Sequence, residues 1–420
     1  MKKIFGPEFW LFTLIYIVLF GWAAESFGVI TDSAPIKYST IFLMCAFTGL
    51  VINLASLFAR RVGTYWLSFP AALVIVEWTR TSILYEYSFG FLGAVWIYLP
   101  LVFMQTASLV GAYGLSFLTV FLPLAIATKH FKTAAAVVLC VLGFGAWRLS
   151  LPERLLDYNI RIVSIDKGKD GTEEKIRAYG IRSMFPGWEE VDLFVWPETL
   201  LDSSLSNPGR EISIVNNARS SLVFGYVNER DGKKYNSFAV FRGHDLDIAY
   251  DKLLLAIYGE YLPWWLPNSV LEDRGRHYIT PGERPRSAVE LSGKRAFPFI
   301  CFESIFPGLR VLDDIDFMLN ISSDYWQSPR GKRLHYGLVR LAAISEGVPV
   351  VRSADHGTSA IISPFGREIV RLDGEGILDG RLPARVSRTL FSRTGNWLVL
   401  LSCLGILIIA AAGSRRGRKP

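Results

Sequence analysis

Apolar positions run almost unbroken through six stretches of the chain: "FWLFTLIYIVLFGWAA" (Phe9–Ala24), "IFLMCAFTGLVINLASLF" (Ile41–Phe58), "YWLSFPAALVIVEW" (Tyr65–Trp78), "YGLSFLTVFLPLAIAT" (Tyr113–Thr128), "AAAVVLCVLGFGAW" (Ala134–Trp147) and "WLVLLSCLGILIIAAA" (Trp397–Ala412). Each lies at or a little under the roughly 20 residues that cross a bilayer, and the set is almost free of charge and rimmed by Trp and Tyr. Between Leu151 and Thr394 the pattern changes to short β-rich runs. "DLFVW", "SLVFGYV", "NSFAVF", "DIAYDKLLL", "FPFIC", "DFMLNIS", "VPVVRS" and "TSAIISP" predict strands, several of them apolar on both faces, and "KRLHYGLVRLAAISEG" predicts a helix ending at Gly347. The expected architecture is an α/β sheet domain carried on about six transmembrane helices.

Composition agrees with that division. The 420 residues are 51% hydrophobic and 20% charged, with a mean hydropathy of +0.30, too apolar for an ordinary water-soluble protein. We expect a transmembrane domain over residues 1–150, an extracytoplasmic domain over 151–394, and a final span with a basic tail over 395–420. The first span is followed too closely by others, and lies too far from a small-residue cleavage site, to read as a removed signal peptide. Lys2 and Lys3, Arg60 and Arg61, Lys129 with Lys132, and the tail Arg415, Arg416, Arg418 and Lys419 fall on one side of a six-span arrangement. The positive-inside rule makes that side cytoplasmic. A seventh apolar segment, "FGFLGAVWIYLPLVFMQ" (Phe89–Gln105), would break this agreement if it crossed, so an interfacial or re-entrant piece is expected there. The basic tail reads as a topology and lipid-headgroup signal, and no direct nucleic-acid binding is expected.

Cys45, Cys140 and Cys403 lie in expected spans, which leaves Cys301 as the only cysteine of the sheet domain. Without a disulfide partner in an oxidising compartment, such a thiol is either buried and inert or kept for its reactivity. Polar residues gather where expected strands end: Glu198 in "DLFVWPET", Lys252 and Glu260 in "IAYDKLLLAIYGEYLP", Cys301 and Glu303 in "FPFICFES". Sites in α/β sheets form at the carboxyl ends of strands, so these groups can converge. A carboxylate beside a thiol can serve as general base, and a lysine can stabilise both a thiolate and an oxyanion. On this reading Cys301 is expected to be an alkylatable thiol of lowered pKa. Each residue alone also fits a solvated turn, a strand-edge charge or a turn cap.

The blocks "VWPET", "YDKLLLAIYGEYLP", "ICFESIFP" and "NISSDYW" resemble the Glu-Lys-Cys signature of the nitrilase, or carbon-nitrogen hydrolase, superfamily. "YGEYLP", "VEWTR", "GAYGLSF" and "RTGNW" resemble its membrane-embedded branch, the apolipoprotein N-acyltransferases. The resemblance implies an αββα sandwich on the periplasmic side of a bacterial inner membrane. It also implies a ping-pong transfer of an acyl chain from a phospholipid to Cys301 and on to the α-amine of a diacylglyceryl-cysteine lipoprotein, with no cofactor. By position, Glu198 would be the base, Lys252 the oxyanion and thiolate partner, Cys301 the nucleophile, and Glu260 and Glu303 supporting carboxylates. Three departures stand out. Phe302 replaces the aromatic hydroxyl that follows the nucleophile in the family, "SIDKGKDGTEEK" carries Asp166 and no Trp, and the membrane part is about two spans short. Shorter TraB-type conjugal-transfer relatives share the layout. A different acceptor, a binding role, or amide hydrolysis by the same triad therefore remain as alternatives.

Other residues carry weaker expectations. His356 in "SADHGTSA" is a possible substrate contact, and His335 and Arg340 read as a solvated helix face. With five His and no HxxxH or paired-Cys spacing, no metal site is expected. Glu77 and Arg80, at a span end, are either functional intramembrane charges or a structural pair.

Overall fold

The computed structural model describes residues 4–26, 31–83, 90–165, 172–202, 220–243, 245–257, 259–262, 278–283, 286–306, 311 and 314–416. It divides into two compact units, one of Met1–Leu151, Phe306–Leu309 and Arg388–Pro420, the other of Pro152–Ile305 and Arg310–Ser387.

The first unit is helical. All six apolar stretches fall on helices: Pro7–Phe20 with Ala23–Ser26, Ala34–Val62, Tyr65–Ile83, Ala107–Ala127, Phe131–Leu149 and Trp397–Arg416. Four of them, Ala34–Val62, Ala107–Ala127, Phe131–Leu149 and Trp397–Ser414, are long and apolar enough to cross a membrane, and Pro7–Phe20 is a shorter apolar helix. The segment expected to be interfacial or re-entrant breaks into a 3-10 turn, Leu92–Tyr98, and a single helical turn, Leu101–Met104, on either side of Pro100. Glu77 is buried and accepts from the Tyr16 hydroxyl at 3.2 Å and from the Leu92 amide at 2.8 Å. Arg80 donates to the Gly90 carbonyl. These side chains thus tie helices to the broken segment, a way of satisfying polar groups that a bilayer would not solvate. Lys2, Lys3, Arg418, Lys419 and Asp166 lie outside the described residues.

The second unit is a sandwich of two sheets. Its strands are β1 (Leu155–Ser164), β2 (Leu193–Val195), β3 (Leu201–Asp202), β4 (Ser221–Arg230), β5 (Lys233–Arg242), β6 (Asp245–Asp251), β7 (Val289–Leu291), β8 (Lys294–Ile300), β9 (Phe317–Ser323), β10 (Val350–Asp355), β11 (Thr358–Ile362), β12 (Glu368–Asp373) and β13 (Gly376–Pro383). One sheet has the order β13-β1-β2-β4-β5-β6 with β3 beside β4, and the other the order β12-β11-β10-β9-β8-β7. Period-two alternation sorts the side chains. Ile160, Ile162, Val223, Phe238 and Val240 of the first sheet meet Ile300, Phe317, Leu319, Ile321, Val351 and Ile361 of the second in a shared core. The opposite face of the first sheet, with Val163, Phe194, Trp196, Leu222 and Phe224, packs against Ile176 and Tyr179 of the helix Thr172–Ser183. The helix Pro329–Glu346 lies against the second sheet at β10 and β11. That helix starts at Pro329, capped by the Ser328 side chain, which accepts from the Gly331 amide at 3.2 Å, and stops at Gly347 with φ 72°. The layers are α, β, β, α.

Candidate active site

Glu198 leaves the end of β2 in the turn "WPET" and is almost fully buried. Its Oε1 accepts from the Asn236 amide at 2.7 Å and lies 3.1 Å from Lys252 Nζ, while Oε2 accepts from the Ser323 amide at 2.8 Å. The close passage of β4 beneath this turn demands a glycine: a Cβ at Gly225 would sit 2.4 Å from the Glu198 Cα and 2.3 Å from the Thr199 amide nitrogen.

Lys252 follows β6 directly and is 1% exposed. Its ammonium lies between Glu198 and Glu260, 2.9 Å from the latter. Asn236 bridges the same two carboxylates, donating to Glu260 at 2.6 Å, and the other Glu260 oxygen accepts from the Ala256 amide at 2.7 Å. Burial pulls the Lys252 ammonium down, but the Glu198 and Glu260 carboxylates outweigh it and hold the group well above the usual lysine range.

Cys301 begins a 3-10 turn, Cys301–Ile305, immediately after β8, and takes φ 47°. A non-glycine residue there stores roughly 1–3 kcal/mol of strain and persists only where its surroundings over-determine it. The thiol lies within 4.8 Å of side-chain atoms of Asp324 and His335 and feels the charges of Lys252, Glu198 and Asp324. Burial pushes the thiol pKa up, and Glu198 and Asp324 add to the rise, while Lys252 and a hydrogen bond with Ser322 offset only part of it. The expectation of a low-pKa thiolate is therefore corrected. The resting group is a thiol, because desolvation and two carboxylates outweigh one ammonium, and it needs a base.

Glu303, expected as a supporting carboxylate, lies apart from the Lys252 ammonium and braces the backbone around the site. Wholly buried, it accepts from the Leu253, Leu254 and Ile300 amides at 3.0, 3.2 and 2.9 Å and from the Tyr250 hydroxyl, and pairs with Arg286 at 2.6 Å. It ties the residues after Lys252 to the turn that carries Cys301. Phe302 is half-buried and packs against the shared core.

A second buried polar cluster was not read as a unit from the sequence. Asp324, just past β9, accepts from Ser322 Oγ at 2.8 Å, and its other oxygen pairs with Arg352 at 2.7 Å. His335 Nδ1 lies 3.1 Å from Asp324 Oδ1 and its Nε2 donates to the Cys301 carbonyl at 3.1 Å. Burial would raise the Asp324 carboxyl, but Arg352 and His335 hold it far below the usual range. The solvated-face reading of His335 is corrected: it sits on the buried face of its helix. Arg340, on the same helix, is part-exposed and donates to the Gly366 carbonyl at 2.9 Å. His356 is half-exposed against Asp355, 2.8 Å away. Side-chain ligand atoms of Cys301, Asp324 and His335 lie within 4.8 Å of one another, a grouping of metal-ligating types that the sequence spacing did not announce. Asp324, however, already has one oxygen on the Arg352 guanidinium and the other on Ser322 and His335. This arrangement suits an anion held by protein donors. Asn236, Asp324, Arg286 and Arg352 went unread because nothing in their spacing separates them from ordinary strand and loop polars; only burial does.

The family described as the apolipoprotein N-acyltransferase N-terminal domain matches residues 1–125, and the carbon-nitrogen hydrolase family matches residues 212–387. The chain is similar to the apolipoprotein N-acyltransferase of Bradyrhizobium diazoefficiens, with 31% identity over 89% of this chain and 78% of that protein. It is similar to the apolipoprotein N-acyltransferase of Brucella melitensis at 28% identity, covering 88% of this chain and 77% of that protein. Among solved structures, a CN-hydrolase superfamily protein from Xanthomonas campestris, with an arsenic adduct in its active site, resembles 59% of this chain and 97% of its own at 16% identity and a TM-score of 0.43. The chain belongs to the apolipoprotein N-acyltransferase family, a membrane branch of the carbon-nitrogen hydrolase superfamily.

Proposed function

We propose that this chain transfers an acyl chain from a phospholipid to the N-terminal amine of a lipoprotein through a thioester on Cys301. The observation that supports it most is the buried Glu198–Lys252 ion pair, at 3.1 Å, whose two charges both act on the Cys301 thiol at the end of β8. In the first half-reaction Glu198 takes the thiol proton as sulfur attacks the ester carbonyl of the donor, and Lys252 faces the oxyanion that forms. Collapse expels the lysophospholipid alkoxide, which recovers the proton from Glu198. In the second half the lipoprotein amine attacks the thioester, Glu198 accepts its proton, and the departing sulfur returns as thiol while the amide is formed. Glu260 keeps Lys252 charged and aimed, and Glu303 fixes the Lys252 loop to the Cys301 turn.

We place the helical part, residues 1–150 and 395–420, in a bacterial inner membrane with both termini cytoplasmic, and residues 151–394 in the periplasm; the basic clusters support this orientation. Reporter fusions after Lys132 and after Arg154 should fall on opposite sides, and finding both on one side would remove the six-span arrangement.

The chemistry is tested on the full chain in phospholipid micelles. The peptide containing Cys301 should gain the mass of one acyl chain, and lose it when a diacylated lipopeptide is added. Ammonia release from small amides without any thioester would move the chain to the hydrolases. A thioester that no lipopeptide discharges would point to another amine acceptor, as in a conjugation-linked relative.

A further inference from the structure

We propose that His335 is a positioning residue for the nucleophile: its imidazole holds the Cys301 carbonyl and so fixes the left-handed turn that presents the thiol. The inference rests on the reading of Cys301 as nucleophile. Cys301 is 2% exposed with φ 47°, and a strained residue of this kind is set by what grips its peptide groups. Its carbonyl accepts from two side chains, Ser304 Oγ at 2.9 Å and His335 Nε2 at 3.1 Å. Ser304 belongs to the same short turn and moves with it, whereas His335 comes from the helix Pro329–Glu346 across the layer. The anchor is therefore outside the strained segment.

The ring is itself held at its far side. Nδ1 lies 3.1 Å from Asp324 Oδ1 and 3.1 Å from Gln327 Nε2, and Asp324 Oδ2 is paired at 2.7 Å with Arg352, whose side chain is wholly buried. Arg352 in turn donates to the Thr358 carbonyl at 3.2 Å and to Asn320 Oδ1. Helix, β9, β10 and the β8 turn are thus connected by one chain of buried hydrogen bonds ending on the residue that must not move. Asp324 does not face a substrate in this scheme. It sets the ring, and the ring sets the turn.

The test compares substitutions at one position, with the rate of Cys301 acylation from phospholipid micelles read by peptide mass and corrected for folded fraction. The H335L variant removes both ring nitrogens, including the donor to the Cys301 carbonyl, and should slow acylation about 10- to 100-fold. The amide nitrogen of H335Q reaches the Nε2 position, keeps the bond to the carbonyl, and should recover most of the wild-type rate. The amide of H335N reaches only the Nδ1 position, keeps the Asp324 partner, and should behave like H335L. A merely structural histidine would lower thermal stability in all three without this ranking of folded-protein rates. Should H335L fail to fold, the contrast between H335Q and H335N still decides, and equal rates for those two overturn the proposal. If wild-type Cys301 itself takes no acyl group, the nucleophile reading fails first and this inference falls with it; a wild type that acylates normally while the His335 variants match it overturns the inference alone.

Discussion

Two buried polar clusters flank Cys301, and they are built on opposite principles. Around Lys252, one ammonium is shared by two carboxylates, Glu198 and Glu260, with Asn236 between them. In the proposed mechanism one of these carboxylates, Glu198, takes the thiol proton while Glu260 stays beside the ammonium. Around Asp324, one carboxylate is saturated by Arg352, His335 and Ser322, and it is held ionised far below its usual range. That cluster cannot readily exchange a proton. The difference assigns labour: the first arrangement suits chemistry, the second suits holding a strained turn in place.

The strongest way to break this comparison is at the thiol and its immediate charges. Cys301→Ala should abolish thioester formation and transfer. Glu198→Gln keeps the volume but offers one acceptor oxygen where Asn236 and Ser323 each donate to one, so it loses some stability along with the base, and should cost at least ~10²-fold in acylation by the folded protein. Lys252→Met should cost as much in rate and also destabilise by about 3–5 kcal/mol, since it leaves Glu198 and Glu260 buried without their cation. A Lys252→Met variant as stable as the wild type would mean that the pair is not buried as described.

The first cluster was legible in the sequence and the second was not, for a physical reason. Glu198, Lys252 and Cys301 each come within three residues of the end of a strand whose run is readable, so strand ends could be read and convergence inferred. The central strands were legible too, because both faces of β2, β9 and β10 are buried and each opens on an apolar run, LFV, FML and VV. β1 was hidden by Asp157 and Arg161: Arg161 looks like a solvent residue, yet it is buried and forms a bidentate pair with Asp379 of β13, at 2.7 and 2.8 Å. Exposure decided β12 and β13, whose charged residues mask their alternation. His335 was misread because helical spacing gives a face but not which layer covers it. Glu303 was located by its motif, but its clamp of three amides needed coordinates.

Gly225→Ala sharpens the comparison at the next level, because it displaces Glu198 without altering any charge. With a new Cβ 2.3 Å from a backbone nitrogen, something must shift, and overpacking of this kind costs about 1–3 kcal/mol. Acylation should fall about tenfold or more while the Asp324 side, read by the pH-dependence of stability, stays as in the wild type.

Stability against pH separates the clusters by sign. The Cys301 thiol has a folded pKa above its unfolded value of roughly 8.5, so its contribution is complete below that pH and is lost as pH rises beyond it, by at most ~1.4 kcal/mol per pH unit. Asp324 is the reverse: its folded pKa is depressed, so its contribution is present above the unfolded value of about 3.9 and fades as pH falls below it. Thermal melts of the detergent-solubilised chain should therefore show an alkaline limb that Cys301→Ser flattens and an acid limb that it leaves alone. An acid limb that changes with Cys301→Ser would mean the two clusters titrate as one.

The smallest effect is expected at Phe302, which lies beside the nucleophile yet belongs to neither cluster. Its ring is half-buried against the shared core, so a tyrosine there keeps the packing and adds one hydroxyl. A hydrogen bond regained at a site shaped to use it is worth about 1 kcal/mol, close to fivefold in rate. In the proposed mechanism the thiol proton goes to Glu198, so the hydroxyl has nothing to add there, but it can orient an incoming amine. Phe302→Tyr should therefore leave the rate of thioester formation unchanged and speed its discharge to a diacylated lipopeptide about fivefold, measured as two separate single-turnover phases. Acceleration of the first phase instead would place the hydroxyl in the Glu198–Lys252 cluster and undo the separation of proton transfer from acceptor orientation.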